Sequence, residues 1–136
     1  MAATRPQLIA AALAARKSAY APYSQFRVGA AVETSDGRIV TGCNVENASY
    51  GLAICAERAA VCRAVAGGVQ VIRRLAVVAD YPTPCPPCGA CRQFLHEFNP
   101  RMEIIMVNLK GARSTARLDR LLPRAFVLSR HRQRKI

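Results

Sequence analysis

No apolar stretch of this sequence approaches the roughly 20 residues that a membrane-spanning helix needs. Internal repeats and low-complexity linkers are also missing. The chain has 136 residues, which is enough for one domain and too few for a second. Hydrophobic residues make up 51% and charged residues 21%, so disorder and a coiled coil are excluded as descriptions of the whole chain.

Acidic residues are scarce, because 8 Asp and Glu stand against 20 Lys and Arg and give a net charge of +12. The surplus is concentrated at the C-terminal end, where residues 110–136 carry nine basic side chains and one acid, Asp119. These 27 residues hold +8 of the +12. We expect residues 1–126 to form a single domain, and residues 127–136 to form a basic, solvated tail that is disordered.

The N-terminus has only a weak similarity to a signal peptide. Arg5 precedes an apolar stretch at 8–15, but that stretch is mostly alanine and runs directly into Arg16 and Lys17. A helix fits better, with Thr4 as its N-cap and a proline in its first turn. The proline is Pro6, and the residues expected on the inner face are Leu8, Ala12 and Leu13.

A secreted disulfide framework fits this chain poorly, although it has six cysteines. Cys85, Cys88 and Cys91 crowd into seven residues at two-residue gaps, which is typical of metal sites. We expect Cys43 and Cys62 to be buried and inert. A reduced setting follows, so the sequence predicts a soluble, cytoplasmic protein.

The remaining pattern predicts a β-hairpin followed by alternating helices and strands. The hairpin strands are predicted at 25–34 and 38–45, with Phe26, Val28, Ala30 and Val32 on one face. Helices are predicted at 54–65, 89–98 and 118–122, and further strands at 71–79 and 103–108, with a proline-rich loop at 80–87. Crossover helices favour parallel strands. The predicted fold class is therefore α/β, a three-layer α/β/α sandwich around a mixed sheet.

Two short segments combine residues that carry chemistry. Cys55 and Glu57 open one predicted helix, and Cys88 and Cys91 open another, three residues apart on one helical face. Three thiolates leave a fourth position for water, which is the arrangement of a catalytic zinc site. Three thiolates and Zn²⁺ sum to −1, which opposes deprotonation of that water. Two helix N-termini offset this charge, and so would the cations that follow each segment, Arg58 and Arg92.

The same segments resemble a known family. Zinc nucleobase deaminases combine a His or Cys ligand, a nearby glutamate that is not a ligand, and a P-C-x-x-C motif. The chain is similar to the small, homotetrameric cytidine deaminases from about Tyr20 to Phe126. The matching segments are YSQFRVGA at 23–30, GCNVENASY at 42–50, ICAER at 54–58, PCGACRQ at 87–93 and LLP at 121–123.

This resemblance implies a function and a set of site residues. The expected reaction is zinc-dependent hydrolytic deamination of cytidine and 2′-deoxycytidine in pyrimidine salvage, with Glu57 moving the protons. One Zn²⁺ per subunit would be held by Cys55, Cys88 and Cys91. Substrate would be bound by Phe26, Asn44, Glu46 and Ala56 of one subunit and by Ala48, Tyr50 and Phe126 of a neighbouring subunit. The pairing of Asn44 with Glu46 is sensible on its own, since side chains two apart on an extended segment point the same way and can fork onto one hydroxyl.

Alternative interpretations remain at the level of sequence. Cys85 and Cys88 are also in C-x-x-C register, but Gly89 and Arg92 align with the family motif and favour Cys88 with Cys91. A deaminase of a nucleoside-like antibiotic such as blasticidin S is a second candidate, against which the 44–47 segment argues. A structural zinc protein that binds RNA through its basic end is a third. We expect no nucleic-acid partner, because the 110–136 stretch has a single aromatic residue, Phe126.

Overall fold

A five-stranded mixed sheet forms the centre of the computed structural model, which describes residues 2–128. The strands in chain order are β1 (Val28–Thr34), β2 (Ile39–Cys43), β3 (Ile72–Ala79), β4 (Glu103–Asn108) and β5 (Arg113–Arg117). Their order in the sheet is β2-β1-β3-β4-β5. The β3–β4 pair is parallel, and the other three pairs are antiparallel.

Within residues 2–128, four α-helices cover the sheet, and a short 3₁₀ turn at Tyr50–Leu52 precedes the second of them. The helices are α1 (Arg5–Arg16), α2 (Ala56–Ala66), α3 (Gly89–His96) and α4 (Leu118–Leu121). The first core cluster places α2, α3 and α4 on one face of the sheet, through Ala60, Leu95 and Leu118 among others. The second places α1 on the opposite face, through Leu8 and Ala12. The predicted three-layer α/β/α sandwich is confirmed.

Two glycines let helices lie directly on the sheet. A Cβ atom at Gly29 would stand 2.0 Å from the carbonyl oxygen of Ala12, and one at Gly42 would stand 2.3 Å from the backbone nitrogen of Ala60. Real Cβ atoms never approach so closely, so any larger residue would push α1 or α2 away. Because Gly42 has no side chain, helix α2 can lie directly against β2.

The N-terminal helix begins as the sequence predicts. Thr4 is the N-cap, and Thr4 and Gln7 exchange two hydrogen bonds in a capping box, with Thr4 accepting at 3.2 Å and donating at 2.9 Å. Leu8 and Ala12 are fully buried. The prediction for Leu13 was wrong, since it is 44% exposed. One residue after Ala12 lies about 100° further around a helix, beyond the stripe that faces the sheet.

Several predicted boundaries shift for identifiable reasons. The first strand begins at Val28 rather than at residue 25, because Gln25 has a φ of 59° and turns the chain before the sheet. Helix α2 begins at Ala56, since Ile54 pairs with Val45 in an isolated bridge and Cys55 is the N-cap. Strand β5 was not predicted, because its sequence RSTAR lacks apolar alternation and four of its five residues are exposed.

Both crossover helices join parallel strands. Helix α3 connects β3 directly to its parallel neighbour β4. Helix α2 connects β2 to β3, which run the same way with β1 between them. The start of both helices therefore lies at the same end of the sheet, beyond the last residue of β3. Among the helices within residues 2–128, none is long and apolar enough to cross a membrane.

Candidate active site and metal centre

Three cysteines meet at the point where α2 and α3 begin. The Sγ atoms of Cys55, Cys88 and Cys91 all lie within 4.8 Å of one another, and those of Cys55 and Cys88 are 3.9 Å apart. Two thiolates at about 2.3 Å from one tetrahedral zinc ion would be separated by about 3.8 Å. The donor atoms and their spacing therefore fit Zn²⁺, and they leave one position of a tetrahedron free for a water molecule.

The helix starts explain how residues distant in sequence converge. Cys55 is the N-cap of α2 and Cys88 is the N-cap of α3, so both thiols lie beside unpaired backbone N–H groups. Cys91 follows one turn into α3 and is fully buried. The positive ends of two helix dipoles therefore face the cluster and favour thiolates over thiols.

Arg58 completes the electrostatics of the cluster. Its guanidinium Nη2 lies 3.6 Å from the Sγ atom of Cys55. Hydrogen bonds from the Cys91 thiol and from Arg58 hold the pKa of Cys55 well below its ordinary value. The pKa of Cys91 is raised, because its proton is shared with the Cys55 sulfur and its side chain is buried. Of this pair, Cys55 is therefore the residue whose surroundings favour the thiolate.

The predicted role of Arg92 as a partner of the thiolates is not what the structure shows. Its Nε atom donates to the carbonyl oxygen of Pro87 at 2.8 Å, and its Nη1 atom donates to the carbonyl oxygen of Leu121 at 2.8 Å. Position 92 follows Cys91 by one residue, so its side chain leaves α3 in a different direction from the Cys91 thiol. Arg92 therefore holds the backbone around the site in place through these two carbonyl groups, rather than offsetting the negative charge of the thiolates.

The other cysteines lie outside the cluster. Cys85 belongs to the loop before α3, and its Sγ atom contacts the carbonyl oxygen of Pro86 at 3.8 Å. It still lines the cavity next to the cluster, and burial raises the pKa of its thiol. Cys43 is half-buried, whereas Cys62 is exposed. The expectation that Cys62 is buried was wrong, because it occupies a face of α2 that points away from the sheet.

Glu57 lies in the first turn of α2, two residues after Cys55. Its side chain is nearly all removed from solvent, with 5% of the residue exposed, and it lines the same cavity as Cys55 and Cys88. Burial raises its pKa to about 7, and the negative charge of Cys55 acts in the same direction. A carboxyl group with this pKa can both accept and donate a proton near neutral pH, which is the property of a general acid–base group.

A cavity of about 270 Å³ opens beside Glu57 and the cysteines. Its walls include four residues that the sequence predicts for substrate binding: Phe26, Asn44, Glu46 and Ala56. Phe26 stands edge-to-face against Tyr81, with ring centroids 6.3 Å apart. Ala56 is the first residue of α2 and is fully buried. The cavity therefore brings together an apolar wall, a buried acid and a metal-binding cluster.

The side chains of Asn44 and Glu46 are already engaged in holding this wall. The Asn44 amide accepts from the Val28 N–H and donates to the Phe26 carbonyl oxygen, both at 2.8 Å. The Glu46 carboxylate accepts from the N–H groups of Tyr23 and Ser24 at 3.0 and 3.1 Å, and also from the Ser24 hydroxyl. Both residues thus position the chain that leads into β1.

Two contributors to the wall were missed by sequence reasoning. The Ser24 hydroxyl links Glu46 to Phe26, because it also accepts from the Phe26 N–H at 2.9 Å. Tyr81 supports the Phe26 ring from the loop after β3. Ser24 stands inside a family-like segment and could have been found there, whereas nothing in the sequence pairs Tyr81 with Phe26.

The three residues predicted to serve a neighbouring subunit lie outside this cavity. Ala48 is exposed, Tyr50 is 76% exposed and Phe126 is 70% exposed. Tyr50 contacts the ring of Tyr23 at a centroid distance of 6.0 Å. The tail predicted at 127–136 lies outside the described residues from position 129 onward.

Comparison with protein families decides the class of this site. Residues 3–107 match the model of the cytidine and deoxycytidylate deaminase zinc-binding region. The chain belongs to this family. It is a zinc-dependent hydrolytic deaminase, and its cofactor is Zn²⁺.

Individual relatives agree with this assignment. The chain is 50% identical over 121 residues to cytidine deaminase of Sporosarcina psychrophila. The aligned residues cover 88% of this chain and 89% of the relative. It superposes on the crystal structure of cytidine deaminase from Burkholderia pseudomallei with a TM-score of 0.89 and 49% identity, covering 91% and 100% of the two chains. The corresponding enzyme from Mycobacterium tuberculosis gives a TM-score of 0.81 at 43% identity, covering 93% and 99%.

Proposed function

We propose that this deaminase converts cytidine and 2′-deoxycytidine to uridine and 2′-deoxyuridine, with release of ammonia, in pyrimidine salvage. The observation that carries the proposal is the position of Glu57, a buried carboxyl group that opens into the same cavity as the three-cysteine cluster. Similarity to the enzymes named cytidine deaminase supports the choice of substrate. The reduced cysteines of the site support a cytoplasmic location.

Cys55, Cys88 and Cys91 would hold the Zn²⁺ ion through their thiolates. When bound, the ion supplies Lewis-acid chemistry that lowers the pKa of a water molecule towards about 7. Arg58 would offset part of the negative charge through its contact with Cys55. The helix N-termini at Cys55 and Cys88 would offset more of it, so that the site still favours loss of a proton from water.

Glu57 would carry the protons of the reaction. It would accept a proton from the attacking water and deliver it to N3 of the base, and then accept a second proton from the new C4 hydroxyl group and deliver it to the amine that leaves C4. The balance is one cytidine and one water converted to one uridine and one ammonia. A surface glutamate would be a weak acid–base group near pH 7, whereas burial brings the pKa of Glu57 to about 7.

The cavity wall would orient the nucleoside. Phe26 would flank the pyrimidine ring, and the buried backbone at Ala56 would face its polar edge. Asn44 and Glu46 would bind the 3′-hydroxyl of the sugar with the hydrogen-bonding capacity that the β1 segment leaves free. Each carboxylate oxygen has two lone pairs, so Glu46 can accept one more hydrogen bond without releasing Ser24.

Neighbouring subunits would complete the site in a homotetramer. Tyr50 lines a second depression of about 300 Å³. Glu46 and Ala53 line both this depression and the cavity beside Glu57. Leu52 and Ile54, which flank Ala53 in the chain, are exposed, and so is Tyr20. Large apolar side chains that stay exposed near a cavity support an interface between subunits. Ala48, Tyr50 and Phe126 would then contact the substrate of an adjacent subunit.

One assay separates the candidate functions. Purified zinc-loaded protein is incubated with cytidine, 2′-deoxycytidine, cytosine, dCMP and blasticidin S, and released ammonia is measured alongside the absorbance change of the base. We expect turnover of the two nucleosides and little of cytosine or dCMP. Turnover of blasticidin S alone would favour the antibiotic deaminase, and no deamination together with RNA binding would favour the structural zinc protein. Light scattering of the same preparation tests the tetramer.

A further inference from the structure

Helix α3 continues past its metal-site cysteine into two residues that hold the C-terminal segment. The side-chain oxygen of Gln93 accepts a hydrogen bond from the Phe126 N–H at 3.0 Å. The side-chain nitrogen of Gln93 donates to the carbonyl oxygen of Phe126 at 2.9 Å. The adjacent Arg92 binds the carbonyl oxygen of Leu121 at 2.8 Å. One turn of the helix that carries Cys91 thus binds the last residue of α4 through Arg92 and the segment after α4 through Gln93.

The Phe126 ring itself is left outside the domain. Phe126 is 70% exposed, and the next two residues, Val127 and Leu128, are 40% and 88% exposed. Within residues 2–128, the hydrogen bonds that hold Phe126 are the two that its backbone forms with the Gln93 side chain. The backbone of this residue is therefore fixed while its apolar ring is presented to the surroundings.

We propose that Gln93 is a positioning residue that presents Phe126 to the substrate of the neighbouring subunit. The inference rests on the shared site proposed above. An aromatic side chain on a loose terminal segment would lose conformational entropy each time it bound a nucleoside. Two hydrogen bonds to its backbone remove much of that cost in advance, and they tie its position to the helix that carries Cys91.

Glutamine is the residue type that this task requires. Its amide has one group that donates and one that accepts, so it can pair with both backbone groups of a single residue. Methionine has nearly the same length and offers neither strong donor nor acceptor. Gln93→Met therefore removes the two hydrogen bonds with little change in packing, and Gln70→Met is a matched control at an exposed glutamine just before β3.

The test is a double-mutant cycle on the zinc-loaded enzyme. The variants are Gln93→Met, Phe126→Ala, the double variant and Gln70→Met. For each we measure KM and kcat for cytidine, the Kd of uridine by calorimetry, the zinc content and the assembly state. Loss of an aromatic contact with the base should raise KM and the uridine Kd about 5- to 150-fold in Phe126→Ala. Gln93→Met should raise both about 2- to 12-fold and leave kcat and zinc unchanged.

The double variant decides between positioning and ordinary stabilisation. If Gln93 acts through Phe126, Gln93→Met has no further effect in the Phe126→Ala background. Additive effects, or a Gln93→Met enzyme with wild-type KM and uridine Kd, would overturn the inference. If Phe126→Ala is itself unchanged while the wild type deaminates cytidine, the shared role of Phe126 and the role of Gln93 both fail. If the wild type binds and deaminates no cytidine, it is the proposed function that fails.

Discussion

Two glutamates are buried at opposite ends of the same sheet, and their surroundings differ. Glu33 lies near the end of β1 and is fully buried, and its carboxylate is 3.3 Å from the Nε atom of Arg74 on β3. Glu57 lies at the other end, beside the three-cysteine cluster, and is 5% exposed. Its nearest cation in sequence, Arg58, is directed at the Cys55 sulfur.

The end that contains Glu33 is a row of alternating charges. Glu33, Arg74 and Glu103 are register neighbours on β1, β3 and β4, and Arg5 of α1 binds Glu103 through two hydrogen bonds of 2.6 and 3.0 Å. Each charge has an opposite neighbour, which is how buried ions are ordinarily tolerated. At the end that contains Glu57, a carboxyl group opens into a cavity and burial raises its pKa to about 7. A buried carboxylate with a cation at ion-pair distance indicates a structural role, whereas a buried carboxyl group that opens into a cavity is a candidate for chemistry.

The largest effect is expected from the metal ligands. Cys88→Ala or Cys91→Ala should abolish zinc binding and activity, because either substitution removes one of the three thiolates that would bind the ion. Cys85→Ala should leave one zinc per chain, since Cys85 lies outside the cluster although it lines the cavity. Metal analysis of the purified variants measures both. Loss of zinc from the Cys85 variant would show that the register of the ligand pair is different.

The next effect separates the two buried glutamates. Glu57→Gln should keep zinc and fold but lower kcat by about 10²–10⁴-fold, because the amide cannot move a proton. Its thermal stability should be equal to or higher than that of the wild type, since a neutral amide is less costly to bury than a carboxylate. Glu33→Gln is the matched control, with the same chemical change, and should keep kcat and lose stability. A Glu57→Gln enzyme with more than a tenth of wild-type kcat would remove Glu57 from the mechanism.

The sequence predicts the end of the sheet that contains Glu57 far better than the end that contains Glu33. Local spacing already places Cys55 with Glu57 and Cys88 with Cys91 at two helix starts, and the resemblance to the family joins the two segments. Glu33 and Arg74 are 41 positions apart and meet only through strand register, which the sequence does not reveal. The predicted contacts of Arg92 and the predicted burial of Leu13 differ from the structure for a related reason. A step of one residue along a helix changes the direction of the side chain by about 100°. The turn at Gln25 depends on a backbone conformation that its residue type does not indicate.

The third effect concerns the partner of Glu33. Arg74→Met keeps the aliphatic part of the side chain and leaves the Glu33 carboxylate buried without a cation. The free energy of unfolding should fall by roughly 3 kcal/mol, the lower end for a broken buried pair, because the Arg74 side chain is itself 24% exposed. Denaturant titration measures this, and kcat and KM measured well below the melting temperature should be unchanged. A variant with normal stability but reduced kcat would mean that the two ends of the sheet are not independent.

The smallest effect is expected at the exposed end of the same charge row. Arg5→Gln removes the two hydrogen bonds to Glu103, but the Arg5 side chain is 52% exposed and that of Glu103 is 31% exposed. Exposed ion pairs contribute about 0–1 kcal/mol. Arg5 is also a cation in the first turn of α1, where the helix dipole is unfavourable to positive charge, so its removal returns part of the loss. The free energy of unfolding should therefore change by only a small fraction of the roughly 3 kcal/mol expected for Arg74→Met. Denaturant titrations of both variants at 0.05 and 0.5 M salt provide the comparison, because added salt should reduce the small Arg5 effect further and leave the Arg74 effect nearly intact. Equal losses in the two variants would show that the row acts as one network, and that burial does not distinguish its members.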